Sequence, residues 1–161
     1  MKIHMQVGEP PMPEQPIRIQ LSRTRGWRMP ENTLKIDRST RWGNHFHVIA
    51  CEDGAFEVRC RLPDSDSAPK AAAGTLAAAL GAAVGLYGAW LNSEWGIHTR
   101  RRAKDELRSK NLACWCRLCE RHHAGRPFGE ACAACQPCHA DVLGRVANGL
   151  TCEPLAPART A

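Results

Sequence analysis

The residues best suited to chemistry lie between positions 114 and 139, where the sequence CWCRLCERHHAGRPFGEACAACQPCH holds six of the chain's nine cysteines. It contains two CxxC units, separated by a loop of the length found in small zinc ribbons. Four thiolates at this spacing can surround one zinc ion as a tetrahedron. We therefore predict a structural zinc site whose ligands are Cys116, Cys119, Cys132 and Cys135. The side chains that could replace one of these four are His122, His123, Cys138 and His139.

An iron–sulfur cluster is the alternative interpretation of the same segment. Cys132, Cys135 and Cys138 form a CxxCxxC run that could bind such a cluster together with an earlier cysteine. The bacterial ferredoxin run continues with a further cysteine and a proline, and both are absent here. The paired CxxC units therefore favour zinc as the cofactor over an iron–sulfur cluster.

Cys138 and His139 raise a separate question, because they stand at the start of a predicted helix. Unpaired backbone N–H groups and the helix dipole at such a position lower a thiol pKa and attract anions. These two residues are therefore the candidates for catalysis. No partner base can be identified from the sequence, and a cysteine at a helix start is often a cap or a ligand, so the sequence leaves open whether the protein is an enzyme.

A second candidate site combines arginine and tryptophan in the segments RGWRMPENT and TRWGN. Guanidinium groups can bind phosphate through two hydrogen bonds, and an indole can stack on a base. The predicted ligand-binding residues are Arg25, Trp27, Arg28, Arg41, Trp42 and Asn44. The alternative is that the tryptophans belong to the core and are covered by the arginines.

The net charge of +6 is concentrated in two segments. One runs from Arg18 to Arg41, and the other from Arg100 to Lys110. Clustered cations suit a phosphate-bearing partner, so we expect a nucleic acid or a nucleotide. For the second segment, the exposed face of a helix is an equally good explanation. Protein partners cannot be inferred from the sequence.

The elements around these residues predict a small single α/β domain with a short sheet, one hairpin and two to four helices. Alternating residues predict strands in IRIQL and TLKID, and Asp53-Gly54 predicts a hairpin turn in which both positions favour positive φ. We expect a flexible arm at residues 1–16, the domain at 17–150 with a Cys-rich zinc-loop insertion at 116–138, and a tail at 151–161.

Residues 71–91 carry no charge, so length alone would allow a transmembrane helix. The larger side chains, however, recur at helical spacing as one stripe on an Ala/Gly-rich background, which favours a helix packed on a sheet. The stripe consists of Leu76, Leu80, Val84, Tyr87 and Leu91. A second helix follows a break near Gly96, then a buried strand, LACW, and a terminal helix that ends at Gly149.

Cysteine usage indicates a reducing compartment. The first sixteen residues contain no apolar segment of the secretory type, and the cysteines are odd in number and crowded together. Metal ligation in the cytoplasm is therefore expected in preference to disulfides, and membrane association is not expected.

Five motifs together resemble one family. They are RGWRMPENT, TRWGN, LYGAWL, LRSKNLACWC and PCHADVL, which follow one another between residues 21 and 147. In order and spacing the chain is similar to the bacterial and phage family called domain of unknown function 4326. That family has no established activity, so the resemblance supplies no catalytic role.

The resemblance divides the cysteines into two groups. Members of the family often join CWC to CHADVL by a short link, which implies a shared set of Cys114, Cys116, Cys138 and His139. The long link of this chain adds Cys119, Cys132 and Cys135. The family also shows proline where this chain has His45.

Two functions of different class follow from these observations. The first is a zinc-containing domain that binds nucleic acid or a nucleotide through its basic loops. The second is a small enzyme that acts on a nucleotide or a modified base, with Cys138 and His139 near the chemistry. Convergence of the loops and the helix start on one compact pocket would favour the enzyme. A flat basic face would favour the nucleic-acid binder.

Overall fold

Seven strands and three α-helices make up residues 15–150, the part of the chain that the computed structural model describes. The strands are β1 (Ile17–Gln20), β2 (Thr33–Lys35), β3 (Phe46–Ala50), β4 (Phe56–Cys60), β5 (Ala71–Ala73), β6 (Asn111–Cys114) and β7 (Arg126–Pro127). The helices are α1 (Leu76–Asn92), α2 (Ile97–Glu106) and α3 (His139–Asn148). The fold is the small α/β domain predicted from the sequence. The predicted C-terminal tail and nearly all of the predicted arm lie outside the described residues.

The first sheet has the strand order β2-β6-β1-β7 and carries the candidate site. Strand β6 lies parallel to both β1 and β2, while β7 pairs with β1 in the antiparallel direction. A central parallel strand is covered on both faces, which explains why consecutive residues Leu112, Ala113 and Cys114 are all buried. The carboxyl ends of β1, β2 and β6 therefore meet at one edge of this sheet.

The second sheet is antiparallel, in the order β3-β4-β5, and contains the predicted hairpin. In its turn the N–H of Cys51 donates to the carbonyl of Ala55 at 2.8 Å. Gly54 takes the left-handed conformation with φ 83°, whereas Asp53 does not share it. The expectation that both turn positions have positive φ was therefore wrong for Asp53, because this longer loop requires only one such residue.

Helix α1 packs on the second sheet through its small residues. It begins at the N-cap Thr75, whose hydroxyl accepts from the N–H of Ala78 at 3.2 Å. Its buried face consists of Ala79, Ala83, Tyr87 and Leu91. The predicted stripe was correct for Tyr87 and Leu91 and wrong for Leu76, which is 50% exposed. Alanine occupies two of the four buried positions, where the helix lies close to its neighbours and leaves no room for larger side chains.

The chain turns sharply between α1 and α2, at the interruption predicted near Gly96. A Cβ on Gly96 would overlap the carbonyl oxygen of Trp90, so the close approach of the two helices requires glycine there. No single helix among residues 15–150 is long and apolar enough to cross a membrane. Only α1 and α2 taken together meet the length and composition of a span, and they are bent by 93°.

Helix α3 ends the described domain and lies against the first sheet. Cys138 is its N-cap, Asp141 lies in its first turn, and Gly149 closes it in the left-handed conformation with φ 66°. Both terminal features agree with the prediction from the sequence. The start of α3 and the carboxyl ends of β2 and β6 are the elements that position the candidate site.

Candidate functional site

Four side chains in the loop between β6 and α3 form a cluster that could hold a metal ion. The metal-binding atoms of Cys119, His122, Cys132 and Cys135 all lie within 4.8 Å of one another. Cys119 Sγ is 3.9 Å from Cys132 Sγ and 3.5 Å from Cys135 Sγ. His122 Nδ1 lies 3.2 Å from Cys119 Sγ and 3.4 Å from Cys135 Sγ. We call this group the loop cluster.

These distances match the edges of a tetrahedron around one ion. Sulfurs bound to one zinc at about 2.3 Å are about 3.8 Å apart, and a sulfur–nitrogen edge is slightly shorter because the zinc–nitrogen bond is shorter. In a [4Fe–4S] cluster each cysteine binds a different iron, and in a [2Fe–2S] cluster four cysteines are divided between two irons, so the four ligands cannot all lie at the edges of one small tetrahedron. The loop cluster therefore has the dimensions of a site for a single ion.

The carboxylate of Glu130 fixes the orientation of the histidine in the loop cluster. His122 Nε2 lies 2.8 Å from Glu130 Oε1, and Arg121 donates to the same oxygen at 2.6 Å. A carboxylate can only accept, so Nε2 donates to Glu130, and in the neutral imidazole Nδ1 is then an acceptor directed towards the sulfurs. The hydrogen bond to Glu130 raises the pKa of His122. A metal-binding histidine is commonly held by a carboxylate in this way.

The structure places His122, and not Cys116, in the fourth position of the loop cluster. A short 3-10 turn at Glu120–His122 brings His122 inward against Cys119. Cys116 lies two residues after the end of β6 and belongs to another group, while His123 is exposed and its Nδ1 contacts the carbonyl of Glu120. The spacing Cys119-x-x-His122 equals that of Cys132-x-x-Cys135, and this signal would have identified the histidine.

A second cluster joins Cys114, Cys116 and Cys138, whose sulfurs all lie within 4.8 Å of one another. Cys114 ends β6, and Cys138 is the N-cap of α3. The distance between Cys114 Sγ and Cys116 Sγ is 3.8 Å. Because Cys138 belongs here, Cys132, Cys135 and Cys138 do not come together as the iron–sulfur alternative required. We call this group the thiol cluster.

His139 borders the thiol cluster and is almost fully buried. Its Nε2 lies 2.7 Å from the carbonyl oxygen of Ile36, an acceptor, so Nε2 carries the proton. The deprotonated Nδ1 then faces Cys138 Sγ at 3.8 Å. Burial lowers the pKa of His139, which keeps the imidazole neutral.

The pKa values of the cysteines in the thiol cluster shift in opposite directions. Hydrogen bonds from Cys116 and Cys138 lower the pKa of the Cys114 thiol. Burial, together with the neighbouring thiols, raises the pKa of Cys138 well above its usual value. The position at a helix start predicted the opposite shift for Cys138, and complete burial outweighs the helix dipole there.

A cavity of about 350 Å³ opens at the thiol cluster, at the carboxyl ends of β2 and β6. Asp37 and Arg38 follow β2, Trp115 follows β6, and the first residues of α3 form another wall. Ligands of open α/β sheets bind outside the carboxyl ends of the strands, and helix N-termini favour anions. The cavity therefore lies where an α/β fold is best able to bind a ligand.

Asp37 orients the indole of Trp115 at the mouth of this cavity. Trp115 Nε1 donates to Asp37 Oδ2 at 2.9 Å, and the indole remains 43% exposed. Burial raises the pKa of Asp37, but hydrogen bonds from Ser39, Lys35 and Trp115 outweigh it and hold the value at about 2. The guanidinium of Arg23 lies 4.7 Å from the centre of the Trp115 ring. Trp115 lies in the motif LRSKNLACWC and Asp37 in TLKID, but neither side chain was predicted to belong to a site.

Of the predicted ligand-binding residues, only Asn44 lines this cavity. Its amide is already engaged, because Nδ2 donates to the carbonyl of Ala83 at 3.1 Å and Oδ1 accepts from the N–H of Phe46 at 2.8 Å. Trp42 is a core residue with 6% exposure, and its carbonyl accepts from the Tyr87 hydroxyl. The alternative that the tryptophans belong to the core is therefore correct for Trp42.

The remaining predicted residues lie on the surface, away from the cavity. Arg25, Trp27 and Arg28 are exposed on the connection between β1 and β2. Arg41 lies 3.6 Å from Glu106 of α2 in an exposed ion pair. The structure thus separates Arg25, Arg28 and Arg41 from the loop cluster and from the thiol cluster.

Arg18 was counted with the basic surface, and the structure buries it completely. Its Nη1 lies 2.8 Å from Asp141 Oδ2, and its Nη2 donates to the carbonyl of Cys116 at 3.1 Å. Arg126 of β7 pairs with the same carboxylate oxygen of Asp141. A charge in the middle of a covered strand must be paired, so Arg18 holds the thiol cluster to α3 and cannot bind an external phosphate.

The fold and the site together define a small α/β domain with a pocket at the carboxyl ends of parallel strands and a cysteine-rich loop that could hold a metal. Residues 19–149 match the model of the family described as domain of unknown function DUF4326. The chain belongs to this family. No curated protein and no solved structure gives a significant match.

Proposed function

We propose that this domain binds a nucleotide-class ligand, a ring that carries a phosphate, in the cavity beside the thiol cluster. The observation that carries the proposal is the convergence of Arg38, Trp115 and the first turn of α3 on one cavity. These groups supply a cation, an aromatic face and a helix N-terminus. Each complements a different part of a nucleotide.

The size and position of the cavity suit a small ligand better than a polymer. Small-molecule pockets commonly enclose about 300–1,000 Å³, and this cavity of about 350 Å³ falls within that range. A bound ring stacked on Trp115 would lie beside Cys138 and His139. This placement favours the interpretation as a small enzyme acting on a nucleotide or modified base over that of a nucleic-acid interface, whose predicted residues lie elsewhere.

We further propose that zinc occupies the loop cluster in a structural role. Three thiolates and one imidazole complete four coordination positions, so no position remains for a substrate. The carboxylate of Glu130 behind His122 supports a fixed, closed site. Zinc at this position would stabilise the loop and would not take part in the chemistry of the cavity.

Calorimetric titration with nucleoside 5′-monophosphates tests the proposed ligand, with the corresponding nucleosides and inorganic phosphate as comparisons. We expect the monophosphates to bind at least about tenfold more tightly than either comparison, because Trp115 contacts the ring while Arg38 and the start of α3 contact the phosphate. Trp115→Ala should weaken binding about tenfold or more, since stacking on an aromatic side chain contributes about 1–3 kcal/mol per base. Trp95→Ala is the control, because Trp95 is 77% exposed between α1 and α2.

Two results would contradict the proposal. One is the absence of measurable binding to every monophosphate. The other is equal affinity in Trp115→Ala and Trp95→Ala. If single-stranded oligonucleotides bind instead, and only Arg25→Gln and Arg28→Gln abolish that binding, the basic loop is a nucleic-acid interface. Mass spectrometry of the nucleotides after incubation reports whether any is converted.

A further inference from the structure

The thiol cluster is a second place where the protein gathers metal-binding atoms, at the inner wall of the cavity. We propose that Cys114, Cys116 and Cys138 bind a second zinc-class ion, whose fourth coordination position faces the cavity. The proposal rests on the arrangement of the three sulfurs and does not depend on which ligand the cavity binds.

The spacing of the sulfurs fits one ion. The separation of 3.8 Å between Cys114 Sγ and Cys116 Sγ equals the edge expected for two thiolates on one zinc, about 3.8 Å. Cys138 Sγ lies within 4.8 Å of both, which a small movement closes to the same distance. A soft divalent ion is the species that three thiolates select.

The three cysteines are held in place by the surrounding fold. Cys114 belongs to the central strand β6, and Cys138 begins α3, so both backbones are fixed by secondary structure. Arg18 holds the carbonyl of Cys116 and pairs with Asp141 of α3. Because these contacts determine the positions of the sulfurs, the site is formed before any ion binds.

The fourth position distinguishes this cluster from the loop cluster. His139 does not belong to the group of mutually close metal-binding atoms, although its Nδ1 lies 3.8 Å from Cys138 Sγ. All three cysteines line the cavity, so the open side of the triangle of sulfurs faces the space where a ligand would lie. Three protein ligands with an open position are typical of catalytic zinc, whereas four are typical of structural zinc.

Zinc content per chain tests the proposal. Protein reconstituted with zinc under reducing conditions and freed of excess metal should contain about two ions per chain. The double variant Cys119→Ser with Cys132→Ser should retain about one, and so should Cys114→Ser with Cys138→Ser. Cys51→Ser is the matched control, because Cys51 is a half-buried free thiol outside both clusters, and it should retain both ions.

X-ray absorption on the Cys119→Ser with Cys132→Ser protein examines the second ion alone. We expect about three sulfur neighbours near 2.3 Å and one lighter neighbour. Each double variant tests one cluster, so the variant that folds is informative even if the other does not. Equal zinc content in wild type and in the Cys114→Ser with Cys138→Ser protein would overturn the proposal, as would iron with sulfide, or an ion with fewer than three sulfur neighbours in the Cys119→Ser with Cys132→Ser protein.

Discussion

His45 illustrates how burial of a single residue affects stability. Its ring lies among those of Phe46, Tyr87 and Trp90, with centres 4.4–5.8 Å away. The buried Nε2 has no hydrogen-bond partner in the described structure. Burial lowers the pKa of His45 to about 4, so the imidazole is neutral in the folded protein. The environment provides no group that would stabilise its protonated form.

We therefore predict that His45 makes the folded state less stable in mild acid. The unfolded chain takes up a proton at His45 below about pH 6.5, whereas the folded chain does so only near pH 4. Stability due to this residue is complete above pH 6.5 and is lost as the pH falls towards 4. After allowance for the partial exposure of His45, the free energy of unfolding should fall by about 1 kcal/mol between pH 7 and pH 5.

Urea denaturation of wild type and His45→Phe at both pH values measures this effect. The phenylalanine ring keeps the packing and removes the titrating group, so the variant should lose about 1 kcal/mol less than wild type. His98→Gln, a change at an exposed histidine of α2, serves as the control and should behave like wild type. An equal loss in wild type and His45→Phe would show that His45 does not titrate in this way.

The packing of the Cys-rich loop on α3 depends on one glycine. Phe128 follows β7 and is 1% exposed, and its ring lies directly against the backbone of Gly144 in α3. A Cβ on Gly144 would overlap several atoms of this ring. Glycine at this helix position therefore allows the loop to pack tightly onto α3.

Gly144→Ala should consequently destabilise the protein by about 1–3 kcal/mol, because a buried ring cannot move aside without strain elsewhere. Gly88→Ala in α1 is the matched control. A Cβ there would make an ordinary contact of 3.7 Å with Val142, and alanine favours the helix by about 1 kcal/mol. Thermal or urea denaturation of both variants should give shifts of opposite sign. A stabilised Gly144→Ala variant would contradict the packing described.

The Cys-rich loop is part of the whole molecule's architecture and not an appendage. Strand β7 pairs with β1, Phe128 belongs to the core, and Arg126 shares Asp141 with the buried Arg18. The ligands of the loop cluster nevertheless lie outside the hydrogen-bonded pairing of β1, β2 and β6. Loss of the metal ion from the loop cluster should therefore unfold the loop before it unfolds the first sheet.

Cys119→Ser should show this in hydrogen exchange. We expect faster exchange within residues 117–137, while the amides that bond β6 to β1 and β2 remain protected, because these strand pairs lie outside the loop. Cys51→Ser should leave both regions as in wild type. If protection of β1 and β6 falls as far as that of the loop, the domain and the loop cluster unfold as one cooperative unit.

Patterns between residues close in sequence predicted several elements of the fold. Alternation specified β1, β2 and the hairpin, Gly96 specified the break between two helices, and Gly149 specified the end of α3. The density of cysteine indicated a cluster that could hold a metal. These signals act between residues close in sequence, where spacing and backbone preference are sufficient.

Which side chains share a site depends on the tertiary structure. Cys116 joins Cys138 and not Cys119, because the buried Arg18 of β1 binds both the carbonyl of Cys116 and Asp141 of α3. The cavity likewise exists only where the carboxyl ends of two parallel strands meet that helix. Such contacts join residues far apart in the sequence, and no periodic pattern in a single sequence marks them. The residue types suited to metal binding could therefore be predicted, whereas the grouping of those residues could not.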